Sequence, residues 1–180
     1  MKFFSIKGKY EKLNFDPTFN YGNEDLKNYD NLIRYKFSQL IINLILLSSS
    51  STQQILFFGI GNACNEMAID FDLYFTQEKE SYLERGLLTL DSVDKLKELD
   101  KLFCEKSEDK NHEFWDDDNL KSNSNWKLVR EKSNEILKML NFDNLTLELD
   151  RNNNFRMDNG NVNLIGQTDK IQIVKKKINN

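Results

Sequence analysis

Apolar residues recur at helical spacing through most of the chain, and the clearest run follows residue 23. This spacing predicts a helix over about residues 24–47, capped by Asn23 and with acidic side chains in its first turn. The last two turns are apolar on every side, which is typical of a helix at the centre of a core. The stripe consists of Leu26, Tyr29, Ile33, Phe37, Leu40, Ile41 and Leu44.

The segment that precedes this helix lacks a helical pattern. Residues 2–19 are interpreted as a short strand or an extended lead-in, with a bend at Pro17, which is the chain's single proline. We expect its aromatic and aliphatic side chains to anchor it to the core. They are Phe3, Phe4, Ile6, Phe15 and Phe19.

The segment that follows the first helix is ambiguous between helix and strand. Residues 54–60 form either a buried strand or the first turns of a helix, because periodicity cannot separate the two in so short a run. Residues 66–75 alternate as in a strand and also match a helical stripe. A helix over about residues 63–85 is favoured, since no turn residue interrupts it and Gly86 supplies a stop.

Two further helices carry one apolar face and one charged face. The first spans about residues 91–106, and the second spans about residues 125–140, with Ser124 as its cap and Asn141 at its end. Trp126 lies on the apolar stripe of the second helix, so we expect it to be a core residue.

The period changes near the carboxyl end of the chain. After Asn144, apolar and polar residues alternate as they do in a half-buried strand. Turn signals at residues 152–154 and 158–161, followed by a last short strand at 171–174, predict a small antiparallel β-meander. We expect the basic tail, residues 175–180, to be frayed.

Together these elements predict an α+β fold with four or five helices first and the meander last. A length of 180 residues is typical of one domain. We therefore expect a single domain over 1–180, with a helical core at about 24–141 and a β-rich part at about 144–174.

Hydropathy and cysteine content predict a cytoplasmic protein. The longest apolar run, residues 40–47, is far shorter than the roughly 20 residues of a membrane span, and the first ten residues do not resemble a secretion signal. The two cysteines, Cys64 and Cys104, have neither zinc-site spacing nor the number needed for a disulfide framework. We expect both to be buried, reduced thiols, and we expect no membrane association.

Sequence motifs for catalysis are absent. His112 is the single histidine, no nucleophile elbow exists, and the two glycines of Gly59-Ile60-Gly61 do not make a phosphate loop. An EF-hand-like start at residue 150 has Phe155 where that loop needs glycine. We therefore expect no metal, no cofactor and no enzymatic activity.

Charge is distributed unevenly along the chain. The net charge is −4, yet residues 61–120 carry 7 basic and 17 acidic side chains. A folded surface with this excess would repel nucleic acid and attract a basic partner. The one basic cluster, residues 175–177, lacks the interleaved aromatics of a nucleic-acid site, so no nucleic-acid partner is expected.

Several motifs in residues 62–141 occur in a recognisable order. They are AIDFDLYF, YLERGLL, LKELDKLF, a Trp-Asp-rich loop, and W-x-x-V-R followed by I-L-x-x-L. This order resembles small bacterial immunity proteins of polymorphic toxin and contact-dependent inhibition systems. The resemblance implies a protein that blocks a cognate toxin, often a nuclease with a basic groove, by binding to it.

An aromatic anchor beside concentrated acid is the clearest candidate for that binding surface. Trp115 fits either this role or a core position. The expected contacts with Lys or Arg of the toxin come from Glu113, Trp115, Asp116, Asp117 and Asp118, and secondarily from Asp70 and Asp72.

Two other functions remain open at the level of sequence. One is a regulatory or structural interaction module without a toxin partner. The other is a small hydrolase built on scattered carboxylates, which would need a concave pocket with two acids of perturbed pKa. The sequence leaves the partner and the oligomeric state open.

Overall fold

The computed structural model describes residues 11–109, 112–159 and 161–176. They fall into two compact units, which divide between residues 143 and 144. The first unit contains helices α1 (Tyr29–Ser48), α2 (Ser51–Phe58), α3 (Ala63–Phe71), α4 (Lys79–Glu84), α5 (Leu90–Ser107) and α6 (Ser124–Met139). The second unit is an antiparallel pair of strands, β1 (Leu145–Asp158) and β2 (Asn161–Lys175). The predicted α+β class is confirmed, and the expectation of a single domain stays a prediction.

Helix α1 is the centre of the helical unit. It contacts α6 and α3 most extensively, and every residue from Asn43 to Leu47 is buried. The buried Asn43 donates a hydrogen bond from Nδ2 to the Met67 carbonyl of α3 at 2.9 Å. The predicted central position of this helix is confirmed, because a turn that is apolar on all sides must be surrounded by other elements.

The segment after α1, which the sequence left ambiguous between helix and strand, is helical. Ser50 caps α2 and forms a reciprocal capping box with Gln53, which explains why residues 54–60 are not a strand. The favoured helix over 63–85 is present as α3, a π-helical turn at Asp72–Thr76, and α4. Gly86, at φ +66°, ends this stretch as predicted.

Two predicted helix caps are wrong, one by five residues and one by a single residue. Asn28 caps α1 in place of Asn23, and Asn123 caps α6 in place of Ser124. Each side-chain oxygen accepts backbone N–H groups at the start of its helix, as an asparagine does well. The predicted end of α6 is confirmed, since Asn141 adopts a left-handed φ of 61°.

The lead-in runs without regular structure from residue 11 to the first helical turn at Asp25–Lys27, with a turn at Pro17. Phe15 contacts the Phe37 ring edge-on at a centroid distance of 4.8 Å, as an anchor should. Phe19 is an exposed side chain. The predicted anchors Phe3, Phe4 and Ile6 lie outside the described residues.

The aromatic core of the helical unit joins α5, α6 and the loop between them. Trp126 is fully buried, stacks on Phe114 at 4.8 Å between centroids, and donates from Nε1 to the Phe114 carbonyl at 2.6 Å. Phe103 of α5 contacts both rings. The prediction that Trp126 is a core residue is confirmed.

The β-unit differs from the predicted meander. It has two long strands in place of the predicted short ones, and the predicted turn at 152–154 is wrong, because these asparagines pair with residues 166–168 inside the ladder. The signal at 158–161 does mark the turn, and the pairing that starts there continues through the asparagines. The predicted fraying of the tail is wrong for its first two residues, because Lys175 pairs with Leu145 in the ladder and the Lys176 N–H donates to the Asn144 carbonyl at 2.8 Å. Residues 177–180 lie outside the described residues.

Candidate partner-binding groove

A groove of about 410 Å³ lies between α3 and α5, and we call it the α3–α5 groove. Its apolar lining comes from Ala68, Ile69, Phe71, Phe103 and Trp115. Ile69 is 60% exposed, so the groove presents apolar surface directly to solvent. Exposed apolar surface of this kind, placed beside charge, is typical of a protein-binding site.

Two carboxylates, Asp72 and Asp100, also line the groove. Each receives one side-chain hydrogen bond: Thr76 Oγ1 donates to Asp100 Oδ1 at 3.1 Å, and Gln77 Nε2 donates to Asp72 Oδ2 at 3.3 Å. A carboxylate has about four acceptor positions, so both retain capacity for a partner's cation. The groove therefore combines an apolar lining with two acceptors of positive charge.

A π-helical turn at Asp72–Thr76 begins at one of these carboxylates. It continues α3 without a break and turns Phe75 fully into the core, while Leu73 stays 42% exposed. π-helical turns are rare and occur frequently at functional sites, because they change the direction of side chains relative to a regular helix.

Trp115 is held in a fixed position beside the groove. Its Nε1 donates to the Lys106 carbonyl at 3.1 Å, and its own carbonyl accepts a bond from Asn62 Nδ2, also at 3.1 Å. The ring meets Phe114 edge-on, with 4.7 Å between centroids. Trp115 is half-buried and lines the groove, so it is not a fully buried core residue.

The thiol of Cys104 reports the electrostatic character of the groove. The expectation that both cysteines are buried is wrong for Cys104, which is exposed and lines the groove, and holds for Cys64. Partial desolvation raises the pKa of the Cys104 thiol, and the nearby carboxylates of Asp100, Asp72 and Glu108 raise it further. This thiol therefore stays protonated at neutral pH. The same negative potential that opposes a thiolate would favour a bound Lys or Arg side chain.

Asp117 has an internal role. Its Oδ2 accepts a hydrogen bond from the Ala63 N–H at 2.9 Å, and its Oδ1 accepts one from the Cys64 N–H at 3.0 Å. The carboxylate thus satisfies the first turn of α3, where the helix dipole also favours negative charge. Burial, together with the Asp117 carboxylate, raises the pKa of the buried Cys64 thiol.

The neighbouring acids of the loop are more exposed. Asp116 caps a short 3₁₀ turn by accepting a hydrogen bond from the Asp118 N–H at 3.0 Å. Glu113 and Asp118 are exposed, and neither lines the groove. These residues surround Trp115 in the chain but do not form its lining.

Asp70 and Asp72 lie on different faces of the same helical stretch. Burial raises the pKa of Asp70, and the charge of Glu66, one turn earlier, adds to this shift. Of the seven predicted residues, the structure therefore brings Trp115 and Asp72 together in the groove and places the other five elsewhere.

Sequence reasoning missed Asp100 and Ile69. Ile69 falls outside the helical stripe of Cys64, Met67 and Phe71, so the helical interpretation already predicts its exposure. Asp100 had no such signal, because an acid on an amphipathic helix is most often a solvated side chain.

The part of the chain that the structure describes contains neither a cluster of metal ligands nor a membrane-spanning helix. Across 11–109, 112–159 and 161–176, no three His, Cys, Asp or Glu side chains converge as they would around a metal ion. In those ranges, no helix has the length and apolar content needed to cross a membrane. His112, which opens a short 3₁₀ turn, is exposed.

Comparison with models of known protein families, with curated proteins and with solved structures yields no match for this chain.

Proposed function

We propose that the protein is a non-enzymatic, cytoplasmic binding protein that neutralises a cognate basic toxin through the α3–α5 groove. The observation that carries this proposal is the presence of Asp72 and Asp100 beside an exposed apolar lining and a fixed Trp115. The order of motifs in residues 62–141, which resembles bacterial immunity proteins, supports the toxin as the partner.

The groove suits a segment that carries a Lys or Arg next to an apolar side chain. The apolar group would cover Ile69 and Trp115, and the cation would lie between the two carboxylates. Most of the affinity of an interface comes from a few such anchors, and charge around them mainly speeds association and selects the partner. Because Trp115 is already fixed, little ordering entropy would be lost on binding.

Affinity capture from the native host, at low and at high salt, tests the existence of this partner. We expect one basic protein that is retained at low salt and weakened or lost at high salt, because screening shortens the range of the attraction. No bound protein at either salt concentration would contradict the proposal.

Growth of cells that express the captured protein then tests neutralisation. We expect growth to stop without this chain and to recover when the wild-type chain is co-expressed. The variant Asp72→Lys should fail to rescue, while Asp94→Lys, an exposed substitution on another face of α5, should rescue as wild type does. A captured protein without toxicity would assign the groove to an interaction module instead.

A further inference from the structure

The β-unit carries an apolar cluster of its own. The cluster lies at the end of the hairpin where β1 and β2 are joined. Register places Phe155 opposite Leu164 and Met157 opposite Val162. Side chains directly opposite each other in a ladder lie on the same face of the sheet. These four residues therefore form one cluster on one face, which we call the tip cluster.

The tip cluster is exposed. The exposed fractions are 59% for Phe155, 73% for Met157, 63% for Val162 and 40% for Leu164. Ile165, which the ladder leaves unpaired at the bulge, is 60% exposed. The opposite face at this end is polar, with Asn154, Arg156 and Asn163 among its residues. Apolar and polar side chains thus alternate at the outer end of the hairpin, as they do in a sheet that has one face covered by another element.

The outer end is also almost without charge. In a chain that is 30% charged, residues 152–168 contain two charged side chains, Arg156 and Asp158, which pair with each other at 3.1 Å. A basic or acidic partner finds no complementary charge here, and a membrane surface finds no cationic patch. Two identical neutral faces, by contrast, meet without repulsion.

We propose that the tip cluster binds the tip cluster of a second copy of this chain. The two hairpins pack face to face around a two-fold axis, as the two sheets of a sandwich do. A two-stranded hairpin is marginally stable by itself, so a second layer also stabilises the outer half of each hairpin.

The available area sets the strength of this contact. At the exposed fractions above, the four side chains offer roughly 500 Å² a copy, and two copies bury about 1,000 Å², the lower end for a specific interface. The proposal therefore predicts a reversible dimer that dissociates in the micromolar range.

Sedimentation velocity of the full chain across the micromolar range tests the dimer. We expect a concentration-dependent shift from monomer to dimer, and Val162→Lys should raise the dissociation constant at least about tenfold by placing a charge in the apolar contact. The matched control, Asn163→Lys, adds the same charge one position further on the polar face and should leave the dimer intact. A wild-type chain that stays monomeric throughout, or equal effects of the two variants, would overturn the proposal.

Cross-linking keeps the proposal testable if the lysine variants disturb the hairpin. In a Cys104→Ser background, Leu164→Cys should give a covalent dimer under mild oxidation, and Asn163→Cys should not. Equal cross-linking at both positions, or binding of the monomer to neutral lipid vesicles through the tip cluster, would assign this face to a different occupant.

Discussion

The carboxylate of Asp117 accepts a hydrogen bond from the backbone N–H of Cys64 at 3.0 Å, across 53 positions of sequence. Its second oxygen bonds the preceding N–H of α3. The loop that contains Trp115 is therefore fastened to the start of the helix that forms one wall of the α3–α5 groove. Asp117 thus positions one wall of the groove, although the sequence alone had suggested that it contacts the partner.

Removal of this cap should destabilise the helical unit. We expect Asp117→Ala to lower the free energy of unfolding by about 1–2 kcal/mol, because two N–H groups at the start of α3 lose their acceptor. Urea unfolding followed by circular dichroism measures the change.

Asp118→Ala provides the matched control for the cap. Asp118 is the adjacent acid, is exposed, and accepts no hydrogen bond from α3, so its loss should change stability by less than about 0.5 kcal/mol. Equal destabilisation by the two substitutions would show that the bonds from Asp117 do not carry the effect.

Truncation of Trp115 should separate binding from folding. We expect Trp115→Ala to weaken partner binding at least about tenfold, since it removes the largest apolar side chain in the groove. Trp115→Phe keeps the ring contact with Phe114 but loses the bond to the Lys106 carbonyl, and should give an intermediate affinity. Isothermal titration calorimetry with the captured partner measures both.

Leu128→Ala is the control for this series. Leu128 is an apolar side chain of α6 that is 39% exposed and does not line the groove. Its truncation should leave affinity unchanged. If it weakens binding as much as Trp115→Ala does, the partner uses a different face.

Asp70 should make stability depend on pH. Burial raises the pKa of its carboxyl, so the folded protein holds the proton more tightly than the unfolded chain does. The stability from this group is fully present below the unfolded pKa of about 3.9 and is lost as the pH rises through the folded pKa. Asp70→Asn should therefore raise stability at neutral pH, because the amide removes the cost of desolvating a charged carboxylate.

Unfolding midpoints in urea from pH 3 to pH 8 measure this effect. The advantage of Asp70→Asn over wild type should shrink as the pH falls towards the unfolded pKa of about 3.9. An advantage that is constant with pH would contradict the assigned role of burial.

Gly86 should resist substitution. Its φ of +66° is in the left-handed region, and a Cβ there would lie 2.9 Å from Cγ of Lys12. We expect Gly86→Ala to cost about 1 kcal/mol in thermal unfolding, while Gly22→Ala should be near neutral, because its nearest contact is an ordinary 3.5 Å. A neutral Gly86→Ala would mean that α4 can end without this conformation.

Local sequence signals predict much of this fold, and the predictions fail where contacts between distant residues determine the structure. The stripe of α1 and the alternation after Asn144 were sufficient for the α+β class. The asparagines at 152–154 are typical of a turn, yet the ladder that starts at the turn at 158–161 continues through them after a one-residue register shift between Asn154 and Phe155. Strand length depended on this pairing, which residue types alone do not encode.

The candidate site shows the same division. Trp115 and Asp72 were predicted from an aromatic beside acids, and the groove contains both. The role of Asp117 could not be predicted, because its partners in α3 are more than 50 positions away. Asp100 lines the groove because α5 packs beside α3. The helical periodicity of α5 does not predict which element Asp100 faces.

The association rate of the captured partner, measured by stopped flow as a function of ionic strength, tests the central claim most directly. We predict a steep fall with salt for wild type and for Asp94→Lys, and a slower, flatter dependence for Asp72→Lys, because the groove's carboxylates attract the partner's positive charge. A rate that does not respond to salt, or identical rates for Asp72→Lys and Asp94→Lys, would contradict the proposal that this groove captures a basic toxin.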